Sequence, residues 1–110
     1  MRFGTIFEFG DVILTEIIFT DQNIVKKRPA LVLFEEHENI IVAGITSNLK
    51  MKGINLSADE GAIRESIIKT NYLFTVSKSI IARKLFKLSN EKKQIVCRDI
   101  KKKICGNFSP

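Results

Sequence analysis

Between residues 11 and 76, short runs rich in Val, Ile and Phe alternate with polar breaks. This is the pattern of a compact, strongly bent sheet rather than a helical bundle. The runs predict strands at 11–19, 29–35, 39–46, 53–57 and 65–76, with a short late strand at 84–88. Ala30 to Phe34 and Ile40 to Ala43 are unbroken apolar stretches. Both faces of those strands must therefore be covered, one by the core and the other by a helix or a second subunit, a first hint of a dimer. Glu35, Glu36, His37, Glu38 and Asn39 separate them with a connection short enough for antiparallel neighbours. His37, the single histidine, thus falls at a loop tip. A near-neutral pKa suits a general base, but a lone histidine among glutamates is more often a solvated loop residue, and it is left out of the candidate site.

Past residue 88 the period changes. Ser89 is placed to cap a helix whose apolar positions Ile95, Val96, Ile100 and Ile104 follow helical spacing, with Glu91 in the first turn and lysines in the last. Its apolar stripe is expected on the sheet and its lysines toward solvent or a polyanion, with Gly106 ending it. Residues 77–83 have room for one short helical turn, and residues 106–110 read as a tail. No internal repeat or low-complexity stretch interrupts this, so 1–110 is read as one domain, consistent with 45% hydrophobic and 27% charged residues in 110.

Charge changes the picture more than composition does. The net charge of +6 is split unevenly: residues 1–77 hold 8 basic and 10 acidic side chains, and residues 78–110 hold 10 basic and 2 acidic, giving −2 and +8. A basic half steers polyanions by displacing their counterions, which makes nucleic acid a candidate partner. The plainer reading is that Lys92, Lys93, Arg98, Lys101, Lys102 and Lys103 are only the wet face of a helix. No apolar run is long enough to cross a bilayer and no leader pattern is present, so a cytoplasmic protein without a membrane partner is expected. Cys97 and Cys105 with one histidine make neither a disulfide framework nor a metal site, and both are read as buried or half-buried thiols.

Two segments carry candidate chemistry. Gly10-Asp11-Val12-Ile13-Leu14 is followed by a polar loop, Thr20 to Lys27, and then by Arg28-Pro29-Ala30-Leu31-Val32-Leu33. An arginine at a strand entrance, stiffened by the proline behind it, can meet a phosphate with both arms of its fork. The alternative is an arginine that merely reaches water from a strand end. In the second segment, Ile45-Thr46-Ser47-Asn48, a buried run ends in small polar residues able to bind phosphate oxygens or position a ribose hydroxyl. By itself it is an ordinary passage from strand to loop.

In this order these segments resemble the MazF/PemK family of toxin endoribonucleases of type II toxin-antitoxin systems. There a Gly-Asp-[Val/Ile] strand precedes a flexible loop, Arg-Pro-Ala-Leu-Val-Leu opens the next strand, and Ile-Thr-Ser-Asn closes the third. Ser66-Ile67-Ile68, Thr75-Val76-Ser77-Lys78 and Arg83-Lys84-Leu85 through Leu88-Ser89 look like the family's later elements, and the likeness runs over residues 9–104. The resemblance implies a mainly β fold with a C-terminal helix, an SH3-like barrel, acting as a homodimer. It further implies cleavage of single-stranded RNA without metal or cofactor, leaving 2′,3′-cyclic phosphate and 5′-hydroxyl ends. Arg28 and Thr46 match the family's catalytic arginine and its catalytic threonine or serine, with Ser47 as helper. Lys26, Lys27 and Asn48 would line the RNA path. A cognate antitoxin would place a disordered acidic tail in the same groove, gated by the Thr20 to Lys27 loop.

One stretch departs from the pattern. Where many members carry an acid and a glutamine ahead of Arg-Thr-[Ile/Val]-Asp-Lys, this chain reads Asn71-Tyr72-Leu73-Phe74-Thr75-Val76-Ser77-Lys78. Some members use an arginine and an aspartate on this strand for acid-base work, and the matching positions here are Lys69 and Asn71. Lys69 can still clamp phosphate, but Asn71 cannot take a proton. Tyr72 and Phe74, two apart, share a face if the strand is regular, either to stack unpaired bases or to form core or subunit interface. The competing expectation is a non-catalytic relative that binds RNA, an antitoxin or a protein target such as DNA gyrase. A generic structural or transcription-associated barrel ranks last.

Overall fold

The computed structural model describes residues 4–19 and 24–106. The segment 20–23, the heart of the expected gating loop, and the tail beyond Gly106 lie outside the described residues. Six strands, β1 (Asp11–Phe19), β2 (Ile24–Glu36), β3 (Asn39–Thr46), β4 (Ile54–Leu56), β5 (Ser66–Ser77) and β6 (Ile81–Lys87), precede one helix, α1 (Asn90–Cys105). They form a single sheet in the order β4-β5-β3-β2-β1-β6, antiparallel at each pairing. The sheet curls into a half-barrel, so the expected mainly β fold with a C-terminal helix is present.

Alternation along the strands sorts side chains onto two faces. Phe7, Ile13, Ala30, Val32, Ile40, Val42, Val76 and Ile81 form one buried cluster. Val12, Leu31, Ala43, Ile45, Leu56, Ile68, Leu88 and Val96 form the other, with Phe86 and Ile100 packed against it. The unbroken apolar runs are thus explained within one chain: the second face is covered by α1. Phe34 is the exception, 50% exposed at the end of its run.

Two boundaries differ from expectation for the same reason. β2 starts at Ile24 instead of 29, because β1 stays alongside to Phe19 and pairs Lys26 with Ile17, Lys27 with Glu16 and Arg28 with Thr15. A ladder satisfies backbone groups whatever the side chains, so polar residues are carried into the strand. Arg28 therefore sits inside β2 and not at its entrance. β6 likewise begins earlier, at Ile81, paired to β1 across two register shifts. The short helical turn expected at 77–83 is present as a single 3-10 turn at Lys78–Ile80, capped by the Ser77 side chain, which accepts from the Ser79 N–H.

Helix α1 starts as expected, with Ser89 Oγ accepting the Lys92 N–H at 3.1 Å. Its buried stripe is narrower than the spacing suggests. Val96 is fully buried, whereas Ile95 is 37% and Ile104 72% exposed. Of the apolar positions only Val96 enters the buried cluster fully, with Ile100 packed against it, and the Thr70 hydroxyl bonded to Asp99 ties the helix to β5. Gly106 closes the helix in right-handed rather than left-handed conformation, donating to the Lys102 carbonyl at 2.7 Å. Cys97, read as buried or half-buried, is exposed; Cys105 is half-buried, as read. His37 occupies the tight β2–β3 turn at φ 57°, exposed to solvent.

The Gly10-Asp11 pair has a structural explanation. Gly10 adopts φ +101°, and a Cβ there would lie 2.6 Å from Lys93 Cδ. The turn seats Asp11 in the interior, where its carboxylate accepts the Glu8 N–H at 3.0 Å and meets the Lys84 and Lys87 ammonium groups at 3.4 and 3.7 Å.

Candidate RNA-binding groove

A concavity of about 740 Å³ opens between the β1–β2 ladder, β6 and the 61–64 segment. Its apolar floor comes from Val12, Leu14, Ile45, Leu56, Leu85 and Phe86. Its polar lining includes Lys26, Lys27, Arg28, Ser47, Arg64, Ser66 and Arg83, and no described lining residue is acidic. Lys84 also contributes to the wall, but its ammonium is committed to Asp11 and lies 5.4 Å from the Phe7 ring centre. A cleft with one sign of charge over an apolar floor focuses its field on an incoming anion.

The groove draws together Arg28, Lys26, Lys27 and Ser47 from the expected site. Thr46 lies at the end of β3 between two lining residues, Ile45 and Ser47. The last β2–β3 register pair is Ala30 with Gly44; Arg28 and Thr46 each lie two residues beyond it, past the end of the paired ladder. The Thr46 hydroxyl accepts the Asn48 N–H at 3.1 Å and the Asn48 side-chain oxygen accepts the Lys50 N–H at 3.1 Å. These bonds fold the strand end into a turn, and the Thr46 hydroxyl keeps its own proton available for donation. Arg64, Ser66 and Arg83 were not singled out as site residues: an arginine far along the chain carries no local signal of which surface it will join.

Over residues 8–104 the sequence matches the family model described as "PemK-like, MazF-like toxin of type II toxin-antitoxin system". The chain belongs to this family. Among solved structures it is similar to the Mycobacterium tuberculosis toxin MazF-mt6, with a TM-score of 0.71 at 19% identity, covering 86% of this chain and 95% of that one. At that identity the likeness establishes the MazF-like fold. No curated protein matches the sequence.

Within this MazF/PemK-type toxin the expected β5 site positions, Lys69, Asn71, Tyr72 and Phe74, are not among the residues that line the groove, although Ser66 at the start of β5 is. Where β3 advances from Ala43 to Gly44, β5 moves from Leu73 to Lys69, so residues 70–72 form a bulge. Period-two alternation fails there: Asn71 through Thr75 are all exposed, while Ser66 through Thr70 are all buried. Lys69 is 7% exposed, donates to the Lys52 carbonyl and lies 5.1 Å from the Tyr72 ring centre. Its ammonium is thus occupied internally. Tyr72 and Phe74 both flank Gly44, at 44% and 37% exposure, beside the more exposed Leu73; they are not core. Among the described residues, no group of three or more His, Cys, Asp or Glu side chains is assembled to hold a metal ion, and no helix is long and apolar enough to cross a membrane.

Two carboxylates, Glu60 beside the groove and Asp99 on α1, are tied down by their neighbours. Burial pushes the Glu60 carboxyl up, but the Ser57 N–H and hydroxyl and the Lys92 ammonium outweigh it and hold the group below its ordinary value. The Lys103 ammonium, then the Thr70 hydroxyl, hold Asp99 low. A depressed folded-state pKa contributes stability that is complete above the unfolded value and lost as pH falls through the folded one. Wild type is therefore expected to lose stability as pH drops below the ordinary glutamate value of 4.5. In Glu60→Gln that loss is smaller, read as a narrower gap between urea midpoints at about pH 7 and about pH 3. An unchanged gap in the variant would remove Glu60 from the acid response.

Proposed function

We propose that the protein is a metal-independent endoribonuclease that cuts single-stranded RNA held in the Arg28 groove. The observation that carries the reading is the union, in one cleft with no carboxylate among its described lining residues, of Arg28 from β2, Ser47 beside Thr46 at the end of β3, and flanking Lys26 and Lys27. In the reaction the ribose 2′-oxygen attacks the adjacent phosphorus and the bond to the 5′-oxygen breaks. One proton leaves the 2′-hydroxyl and one reaches the departing 5′-oxygen, giving 2′,3′-cyclic phosphate and 5′-hydroxyl ends. The attack is intramolecular, so the protein's task is to align the nucleotides and stabilise the phosphorane. Arg28 supplies two parallel donors to the non-bridging oxygens, and Thr46 and Ser47 supply hydroxyl donors from the neighbouring strand. Arginine stays protonated and acts as charge stabiliser, not as a free base.

The reading extends to a homodimer and to a cytoplasmic toxin restrained by an antitoxin. Phe34 on β2 and Tyr72, Leu73 and Phe74 on β5, the two strands that flank β3, leave apolar surface, the kind that a partner subunit covers. The cationic groove suits an acidic antitoxin tail as well as RNA.

A second reading, a non-catalytic relative that binds RNA, an antitoxin or a protein target, is favoured by one stretch: Asn71 replaces the acid used by some relatives and stands on the bulge, away from the groove. Incubating the protein with a long unstructured RNA in EDTA and mapping the ends separates the two. Recurrent cuts with 5′-hydroxyl ends that vanish in Arg28→Ala and Thr46→Ala support the nuclease. Intact RNA despite tight binding transfers the assignment to the binding module.

A further inference from the structure

Arg64 and Arg83 lie in the same groove as Arg28 but on different elements, one on the segment before β5 and the other on β6. Both side chains are exposed, and neither forms an ion pair with a described carboxylate. Arg83 stands opposite Leu14 in the β1–β6 ladder, which fixes its backbone. The 61–64 segment is fixed less obviously. Gly61 ends the 3-10 turn at Ala58–Glu60 with φ +116°, and a Cβ there would lie 2.7 Å from Phe86 Cγ. The backbone is therefore pressed onto the Phe86 ring on the groove floor. Behind it, Lys92 of α1 reaches across to the Asn55 carbonyl at 2.7 Å and Glu60 at 3.4 Å.

Two acidic residues of this stretch are bonded elsewhere and not to Arg64. Glu60 is engaged by the Ser57 N–H at 2.7 Å and by Lys92, and Glu65 accepts the Ala58 N–H at 3.3 Å. Next to the two arginines in the chain, the groove lining includes the apolar residues Ala62, Ile63, Leu85 and Phe86, with Ile63 81% exposed.

We propose that Arg64 and Arg83 form a second phosphate-binding wall facing the Lys26-Lys27-Arg28 wall, so that a nucleic-acid strand is gripped on two sides with a base against the apolar surface between them. This inference rests on the reading of the groove as an RNA site and adds the residues that would hold the strand beyond the scissile phosphate. Guanidinium forks match phosphate, and an unpaired base offers an apolar face to Ile63 and Phe86. The backbones that carry both arginines are held by the β1–β6 ladder and the Gly61 contact, so binding has only their side chains to order.

The test is equilibrium binding of a 2′-O-methyl RNA, which lacks the attacking hydroxyl and stays intact, measured by fluorescence anisotropy over a range of salt. Arg64→Ala/Arg83→Ala is expected to bind about tenfold or more weakly near 0.1 M salt, and to lower the slope of log K against log salt by about 1.4, near 0.7 for each phosphate no longer neutralised. Lys101→Ala/Lys102→Ala, which removes equal charge from α1 outside the groove, is the comparison and should leave the slope close to that of wild type. Equal slopes in both double variants, or no binding by wild type, would overturn the second wall. So would a groove that takes an acidic peptide and ignores the RNA, which would make the wall a protein site. Because the probe cannot be cut, a wild type that binds with the expected slope but cuts no natural RNA would overturn the nuclease reading alone. Cleavage with an Arg64/Arg83-independent slope would overturn only the second wall.

Discussion

Replacing Arg28 with alanine is expected to slow single-turnover cleavage of an unstructured RNA by about 100- to 1,000-fold, the usual cost of removing one donor aimed at developing negative charge. The magnitude follows from the groove: Arg28 lines a cleft whose other lining residues are in large part apolar, where a charge is screened less than in open water. Arg28→Lys should recover only a minor part, because an ammonium keeps the charge but loses the two-point fork. Rapid-quench measurement at saturating protein separates the chemical step from binding. An Arg28→Ala rate within a few-fold of wild type would end the catalytic assignment of this residue. If Arg28→Lys matched wild type, a point charge would suffice and the fork argument would fail.

The second large effect concerns the helix. Val96 is the one fully buried residue described on α1, packed among Val12, Leu31, Ala43, Leu56, Ile68 and Leu88. Val96→Asp forces a carboxylate into that cluster with nothing to pair it, and is expected to cost about 3 kcal/mol or more. Ile104→Asp makes the same kind of change at a position 72% exposed, and should stay within about 0.5 kcal/mol of wild type. Urea unfolding of the two variants side by side measures the contrast. Equal losses would mean that the helix contacts the sheet along the whole apolar stripe and not along the Val96 line.

That contrast also marks how far sequence pattern carries. Both ends of β1 and β3 and the Ser89 cap of α1 follow from local signals: alternating or continuous apolar runs, polar breaks and a hydroxyl before a helical period. The width of the helix stripe does not, because Ile95, Val96, Ile100 and Ile104 have the same spacing whether the surface beneath is broad or narrow. Likewise nothing in Ser66 to Ser77 announces that β5 bulges against Gly44. The regular alternation assumed for Tyr72 and Phe74 gave no warning that Lys69 would turn inward onto the Lys52 carbonyl. Register shifts are set by how two strands meet, and a single strand's sequence does not contain its partner's twist.

The candidate site divides along the same line. Arg28, Thr46, Ser47 and the flanking lysines were legible because they adjoin strongly patterned strands and carry an ordered family resemblance. Arg64 and Arg83 were not, since they reach the Arg28 groove only through the Gly61 contact with Phe86 and the pairing of β6 with β1.

By itself, then, the sequence determined the elements, the buried faces of most strands and the family to which the chain belongs, because these rest on periodicity and on short motifs that act locally. The tertiary structure alone decided which cations share a groove, which lysine is spent internally and which helical residues are buried. Those outcomes depend on non-local pairing and curvature, which bring together residues that no spacing along the chain relates.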